Sequence, residues 1–191
     1  MRRTKNIIIC GTGGQGILMA SEVLCSAAWR SGFDVKKSEV HGMSQRGGAV
    51  VSTVRFGDKV YSPITGIGDV DYILAFERLE ALRNLDKLKK DGIILVNDYR
   101  INPLPVATAV MEYPDNILET IKKTVPNVVT INAFDMAKGL GNIKVMNTIM
   151  IGRLAKTIDL PKEIWLQVIK RRVPAKAIDI NIKAFEKAYN L

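Results

Sequence analysis

The sequence has few of the residues that build metal centres. Its 191 residues include two cysteines, Cys10 and Cys25, and one histidine, His41. An iron–sulfur cluster needs about four thiolates, and a structural zinc site needs about as many cysteine or histidine ligands. We therefore expect no metal site in this chain. Both cysteines lie in apolar segments, so we expect their thiols to be inert core residues.

Long apolar runs are also absent. No stretch approaches the ~20 apolar residues of a transmembrane helix. The opening residues, MRRTK, lead into a predicted strand without the apolar core of a signal peptide. We therefore expect a cytoplasmic protein that binds no membrane.

Aromatic residues make up only 6% of the chain and are not interleaved with its basic clusters. This pattern does not favour nucleic-acid binding. Such basic clusters are typical of solvated helix ends. The formal net charge of +9 is also consistent with attraction to an anionic cofactor or an acidic protein partner.

The most informative stretch is a glycine cluster that follows a short apolar run. The run Ile7–Cys10 predicts a strand buried on both faces, and helical spacing begins at Ile17 and continues to Arg30. Glycines between a strand and a helix let the backbone turn tightly, and the free N–H groups of the helix bind phosphate or carboxylate. We therefore predict an anion-binding turn formed by Gly11, Gly13, Gly14, Gln15 and Gly16.

The same turn fits the dinucleotide fingerprint G-x-G-x-x-G. Glu39, in the second predicted strand, lies about where an acidic residue would bind a ribose. Many α/β domains begin with a similar pattern. Two alternatives therefore remain open: an NAD(P) or FAD site, and glycines that serve only tight packing of the strand against the helix.

A second unusual stretch, Val40-His41-Gly42-Met43-Ser44-Gln45-Arg46-Gly47-Gly48, follows the second predicted strand. Its glycines favour a loop of specified conformation. Arg46 can bind a carboxylate or phosphate through two parallel hydrogen bonds, and histidine is the side chain that exchanges protons near neutral pH. The alternative is a tight turn with a surface arginine and a structural histidine.

Strands and helices alternate along most of the chain. The second predicted strand, at 33–39, completes a β–α–β unit, and residues 49–56 and 59–61, joined at Gly57-Asp58, predict an inserted β-hairpin. Further strands are predicted at 71–77, 93–97 and 128–131, and only helices follow Asp159. We predict a three-layer α/β/α fold with a mostly parallel sheet and a helical C-terminal segment, 159–191, packed on a single domain spanning 1–191.

Two further positions bear on the site. Glu77 ends a predicted strand at the edge where α/β sheets contact ligands. Gly68-Asp69 followed by Asn97 resembles a thiamine diphosphate motif, but Val70 replaces its last glycine, and the pair precedes a strand instead of following one. We therefore expect no thiamine site within this chain.

The two unusual stretches together resemble the gamma domain of the 2-oxoacid:ferredoxin oxidoreductases. The motif from Glu39 to Gly48 is similar to the corresponding sequence in the indolepyruvate branch of that family. Pyruvate and 2-oxoglutarate relatives usually have a tyrosine and a glycine before Arg-Gly-Gly at this place. Further matches extend the resemblance over nearly the whole chain: Ala75-Phe76-Glu77, Glu80-Ala81, Asn147, Gly152, Asn181 and Ala184-Phe185.

The resemblance implies a thiamine-dependent oxidative decarboxylation. An aryl 2-oxoacid, coenzyme A and oxidised ferredoxin would become an arylacetyl-coenzyme A, carbon dioxide and reduced ferredoxin. It also implies that thiamine diphosphate and the 4Fe-4S clusters lie on a large alpha subunit, in a heterodimer or heterotetramer. This chain would then hold no cofactor by itself and be inactive alone.

Under this interpretation His41 and Arg46 are the catalytic candidates. The candidate ligand-binding residues are Gly11, Gly13, Gly14, Gln15, Gly16, Gln45, Gly47, Gly48 and Glu77. Three alternatives stay open. The chain could be a gamma subunit for another 2-oxoacid, a free-standing oxidoreductase whose NAD(P)H binding quenches Trp29 or Trp165, or a purely regulatory or structural subunit.

Overall fold

The computed structural model describes residues 3–42 and 48–191, and a six-stranded sheet lies at their centre. Its strands are β1 (Lys5–Thr12), β2 (Asp34–His41), β3 (Ala49–Gly57), β4 (Val70–Ala75), β5 (Leu88–Asn97) and β6 (Asn127–Ile131). The α-helices are α1 (Ile17–Arg30), α2 (Arg78–Arg83), α3 (Leu104–Ala107), α4 (Ile117–Thr124), α5 (Ala133–Gly139), α6 (Met146–Thr157), α7 (Lys162–Arg172) and α8 (Ile178–Tyr189).

The strands lie in the order β2-β3-β1-β4-β5-β6. Strands β1, β4, β5 and β6 are parallel, while β3 runs antiparallel to both of its neighbours. The predicted mostly parallel sheet with an antiparallel hairpin is therefore confirmed, and every strand except β3 directs its carboxyl end to the same edge.

The predicted partner within the hairpin is wrong. Strand β3 pairs with β2, from Asp34 opposite Gly57 to His41 opposite Val50, and residues 59–61 form no strand. The reason is that β1 and β2 occupy both edges of β3. Side chains bind the segment instead, and Val60 N donates to Asp34 Oδ2 at 2.9 Å. The Arg55 guanidinium likewise donates to the carbonyl groups of the residues that follow, at 62 and 64.

Helices cover the sheet in two layers, as predicted. On one face, Ile7, Ile9 and Leu74 pack in a core formed with α1, α5, α6, α7 and α8. On the other face, Ile8 and Ile73 pack with α2 and α4. Successive strand residues point to opposite faces, so a run of apolar residues serves both cores. The C-terminal helices share the first core through Trp165 and Phe185, which are fully buried.

Strand β5 is longer than predicted, because helix α2 ends at Arg83, where Asn84 Nδ2 donates to Glu80 O, and the strand begins at Leu88. The connection after β5 contains the short α3, whose first turn accommodates Pro105 because an N–H there has no partner within the helix.

No helix in the described part of the chain has both the length and the apolar character needed to cross a bilayer.

Candidate functional site

The glycine turn connects β1 to α1 at the carboxyl edge of the sheet. Gly14 has φ +95° and Gly16 has φ +83°, in the left-handed region that glycine adopts most readily. Gly16 is the N-cap of α1, and Gly13 N donates to Gly48 O at 2.9 Å. The two glycine-rich stretches that the sequence singled out are therefore joined by a backbone hydrogen bond.

Gln15 fills the space between β1 and β4. Its Oε1 accepts from Thr12 N at 2.8 Å, and its Nε2 donates to Phe76 O at 2.9 Å. Helices α1 and α2, which follow these two strands, lie on opposite faces of the sheet, and a doubly wound fold binds its ligand in the crevice at such a point. The structure therefore gives the predicted ligand-binding side chain of Gln15 two protein partners.

This arrangement also bears on the dinucleotide alternative. Glu39, the candidate ribose ligand, pairs with Lys37 Nζ at 2.8 Å and accepts from Ser21 Oγ at 3.5 Å. The Gln15 side chain thus occupies the crevice where a dinucleotide would bind, and the Glu39 carboxylate is bonded to Lys37 and Ser21.

A cavity of about 230 Å³ opens beside the turn. Gly13, Gly14 and Gly16 line it together with His41, whose exposed side chain reaches it from the end of β2. Gly11 lies beneath: a Cβ atom there would be 2.6 Å from Gln15 Oε1, so this glycine makes room for the glutamine.

The remaining predicted loop residues, Gln45, Arg46 and Gly47, lie outside the described residues. The residues on either side of that segment are described. Gly42 N donates to Ala49 O at 2.8 Å, and Gly48 is bonded to Gly13. The described residues on both sides of the segment are therefore bonded close to residues that line the cavity, Gly13 and His41.

Glu77 lies away from the cavity, on the α2 side of the sheet edge. It is 1% exposed and accepts hydrogen bonds from Tyr113 Oη at 2.5 Å, Glu80 N at 3.0 Å and Ile101 N at 3.2 Å. Burial and, after it, the bond to this carboxylate raise the pKa of Tyr113. Glu77 caps α2 and anchors the connection that follows β5.

A second, larger cavity of about 390 Å³ adjoins the turn from the other side. A Cβ atom on Gly16 would be 2.8 Å from Asn147 Nδ2, which donates to Met19 Sδ, and both Asn147 and Met19 line this cavity. Its polar lining consists of Asn142, Lys144, Asn147, Lys176 and Asn181, and its apolar lining of Met19, Val145, Val173, Pro174, Ala177 and Ile180.

The lysines of this cavity were missed by the sequence analysis. Lys144 lies just before α6 and Lys176 just before α8. Nothing in the local sequence indicates that both line the same cavity. The one local signal is Asn147, a buried polar residue at the start of an apolar helix. Two ammonium groups and amide groups beside an apolar wall suit an anionic ligand with an apolar arm.

The cysteines have no place in either site. Burial above all raises the pKa of Cys10, whose Sγ donates to Glu80 O, and burial raises the pKa of Cys25 to about 12. Among residues 3–42 and 48–191, no three histidine, cysteine, aspartate or glutamate side chains are grouped as metal ligands.

Comparisons with known proteins connect this geometry with one family. Residues 6–191 match the family model described as pyruvate ferredoxin/flavodoxin oxidoreductase. Indolepyruvate oxidoreductase subunit IorB of Pyrococcus horikoshii is 43% identical over 188 residues, which are 95% of this chain and 92% of that protein.

Two solved structures share the fold. The gamma subunit of a keto/oxoacid ferredoxin oxidoreductase from Geobacter sulfurreducens has a TM-score of 0.72 and 25% identity, over 98% of this chain and 99% of that chain. The 2-oxoglutarate:ferredoxin oxidoreductase of Magnetococcus marinus, solved with 2-oxoglutarate, coenzyme A and succinyl-CoA bound, has a TM-score of 0.75 and 19% identity. All of this chain aligns there with 32% of one longer chain.

Proposed function

Because this chain belongs to the pyruvate ferredoxin/flavodoxin oxidoreductase family and is a subunit of a 2-oxoacid:ferredoxin oxidoreductase, we propose that it works with a larger alpha subunit in the cytoplasm. The complex, a heterodimer or heterotetramer, oxidatively decarboxylates aryl 2-oxoacids, indolepyruvate first among them. It forms an arylacetyl-coenzyme A and reduces ferredoxin. The 43% identity to a subunit of an indolepyruvate enzyme supports this choice of substrate.

We assign thiamine diphosphate and the 4Fe-4S clusters to the alpha subunit. There the thiamine group supplies the decarboxylation chemistry, and the clusters carry the electrons to ferredoxin. The described residues of this chain do not fit either group. Asn97, the candidate thiamine ligand, is fully buried and bonded to Phe76 O and Ala133 N, and Cys10 is fully buried.

The observation that carries the proposal is the pair of cavities that flank the glycine turn. The free N–H groups at the start of α1 and the charge of Arg46 suit a phosphate or carboxylate. Lys144 and Lys176 suit the phosphate groups of coenzyme A, and the apolar wall beside them suits its pantetheine arm. This chain therefore contributes one wall of the active site, which binds and orients coenzyme A or the 2-oxoacid.

Arg46→Ala tests this assignment in the reconstituted complex. Charge-assisted hydrogen bonds contribute about 1.5–3 kcal/mol, so we expect KM for coenzyme A or for the 2-oxoacid to rise about 10- to 100-fold, with kcat little changed. Arg171→Ala, on the exposed side of α7, is the matched control and should leave both values unchanged. Unaltered KM values for both substrates in Arg46→Ala would remove Arg46 from the site.

His41→Gln tests the second catalytic candidate. The side chain borders the cavity and can exchange a proton with bound substrate, so we expect its replacement to flatten one limb of the pH–rate profile of the complex. A profile identical to that of the wild type would leave His41 a structural residue.

The competing classes make separate predictions. Binding of NAD(P)H by the isolated chain, measured by quenching of the exposed Trp29, would favour a free-standing oxidoreductase. Full turnover by a complex with a disrupted glycine turn would favour a regulatory or structural subunit. Our proposal requires that the isolated chain be inactive and that activity appear only on addition of the alpha subunit.

A further inference from the structure

Part of the sheet is covered by helices on one side only. Helix α2 contacts β1, β4 and β5, and α4 contacts β6, whereas the main helix contacts of β2 and β3 are with α1 on the opposite face. We call the uncovered surface of β2 and β3 the open face. Its residues form cross-strand pairs, Lys36 with Arg55, Ser38 with Thr53 and Val40 with Val51. Val51 is partly buried and also packs against the core formed with α2 and α4, so it marks the inner border of the open face.

The part of the open face that extends toward the glycine turn is suited to packing against protein. Val40, Val51 and Thr53 are β-branched residues with few rotamers, so ordering them on contact loses little side-chain entropy. Val40 is 66% exposed. An exposed, flat and partly apolar surface on a sheet is a feature of interaction sites.

A fixed loop extends this surface at the far end from the glycine turn. The Arg55 guanidinium donates to Asn6 Oδ1 and to the carbonyl oxygens of Ser62 and Ile64, at 2.8–2.9 Å. These bonds hold Ile64, which is 75% exposed, beside the open face. All three acceptors are neutral, so none of these bonds pairs the Arg55 guanidinium with a carboxylate.

The open face and the candidate site meet at the end of β2. Neighbouring strand residues point to opposite faces, so Val40 lies on the open face while His41 lines the cavity beside the glycine turn. Any protein that covers the open face at this end therefore also borders the opening of the site.

We propose that the open face of β2 and β3, with Ile64 beside it, is the docking surface for the alpha subunit, which presents an apolar patch bordered by a carboxylate opposite Arg55. This inference rests on the proposed function, in which the reacting groups come from another chain. Charge supports the choice, because the chain carries a net charge of +9 and the hydrogen bonds described for Arg55 go to neutral acceptors. In the Magnetococcus enzyme the same fold is about a third of one longer chain, so there it is joined to further protein.

The test measures binding of the isolated chain to the purified alpha subunit by surface plasmon resonance. We expect Thr53→Glu and Val40→Glu each to raise Kd at least about 30-fold, as buried interface positions do. Leu191→Glu is the matched control, because Leu191 is 64% exposed and lies away from the open face, and it should bind like the wild type. Thermal unfolding of each variant shows whether it is folded. If Val40→Glu does not fold, the Kd of Thr53→Glu alone tests the docking surface.

The outcomes separate this proposal from the proposed function. If Thr53→Glu and Val40→Glu both bind the alpha subunit with the wild-type Kd, the proposed docking surface is wrong and the proposed function is unaffected. Failure of the folded wild-type chain to bind any alpha subunit would overturn both. Self-association of the wild-type chain, lost in Thr53→Glu while binding to the alpha subunit persists, would assign the open face to a second copy. Hydrogen exchange adds an independent check, since amides of β2 and β3 should gain protection in the wild-type complex.

Discussion

Gly152→Val is expected to prevent stable folding of the chain. A Cβ atom at Gly152 in α6 would lie 2.5 Å from Phe185 O in α8, and 3.1 Å from Ala188 Cβ. The first contact is with backbone, so it can be relieved only by moving a whole helix in the core. Overpacking by a single methyl group costs about 1–3 kcal/mol, and the two further methyl groups of valine raise this toward the total stability of a domain, about 5–15 kcal/mol.

The smaller substitution, Gly152→Ala, should leave a folded protein whose Tm can be measured. Gly152→Ala should lower Tm by about 4–10 °C, since 1 kcal/mol corresponds to about 2–4 °C in a protein of this size. The control is Gly139→Ala near the end of α5, where an added Cβ would meet nothing within 4 Å. That variant should keep or slightly raise Tm, because alanine restricts the unfolded chain. Equal Tm values for the two alanine variants would contradict the close approach of α6 and α8.

Gln15→Glu is expected to damage both stability and the site. A carboxylate oxygen would replace the amide group that donates to Phe76 O at 2.9 Å, so two oxygens would repel each other in a buried position. An uncompensated buried charge costs about 3–5 kcal/mol. The glycine turn depends on this side chain through its bond to Thr12 N, so we also expect a raised KM for coenzyme A in the assembled complex.

The pH dependence of this variant gives a signature that simple misfolding does not. Burial beside Phe76 O should raise the pKa of the introduced carboxyl above its unfolded value. The protonated form can donate to that oxygen, so the stability lost by Gln15→Glu should be smallest near pH 4 and should grow as the pH rises toward 7. Denaturant unfolding at several pH values measures this. Gln167→Glu on the exposed side of α7 is the control, and a loss independent of pH would contradict the bridging role.

The features that could be predicted from the sequence are those that depend on residues close together in the chain. The first helix has the predicted bounds, 17–30, because an apolar spacing and flanking glycines determine it. The glycine turn is equally local, since Gly14 and Gly16 adopt backbone angles that other residues disfavour. A sheet with four parallel strands follows from apolar runs that alternate with helical ones.

Features that depend on distant contacts were not predictable in the same way. Gly57-Asp58 is a strong hairpin signal, but β1 and β2 occupy both edges of β3, and Val60 N donates to Asp34 in β2. Ligand contact by Gln15 stays a prediction, and local sequence did not indicate that its amide group donates to a carbonyl group 61 residues away. The lysines of the larger cavity converge only once α6 and α8 have packed together.

The backbone bonds at the base of the Arg46 segment have a consequence for the diversity of these enzymes. Gly42 N to Ala49 O and Gly13 N to Gly48 O fix the two points between which the intervening residues, 43–47, must run. Both bonds join backbone groups, so they do not depend on which side chains the intervening residues carry. We therefore expect substitutions at 43–47 to leave these two points of attachment in place, which would allow substrate preference to change while the fold is kept.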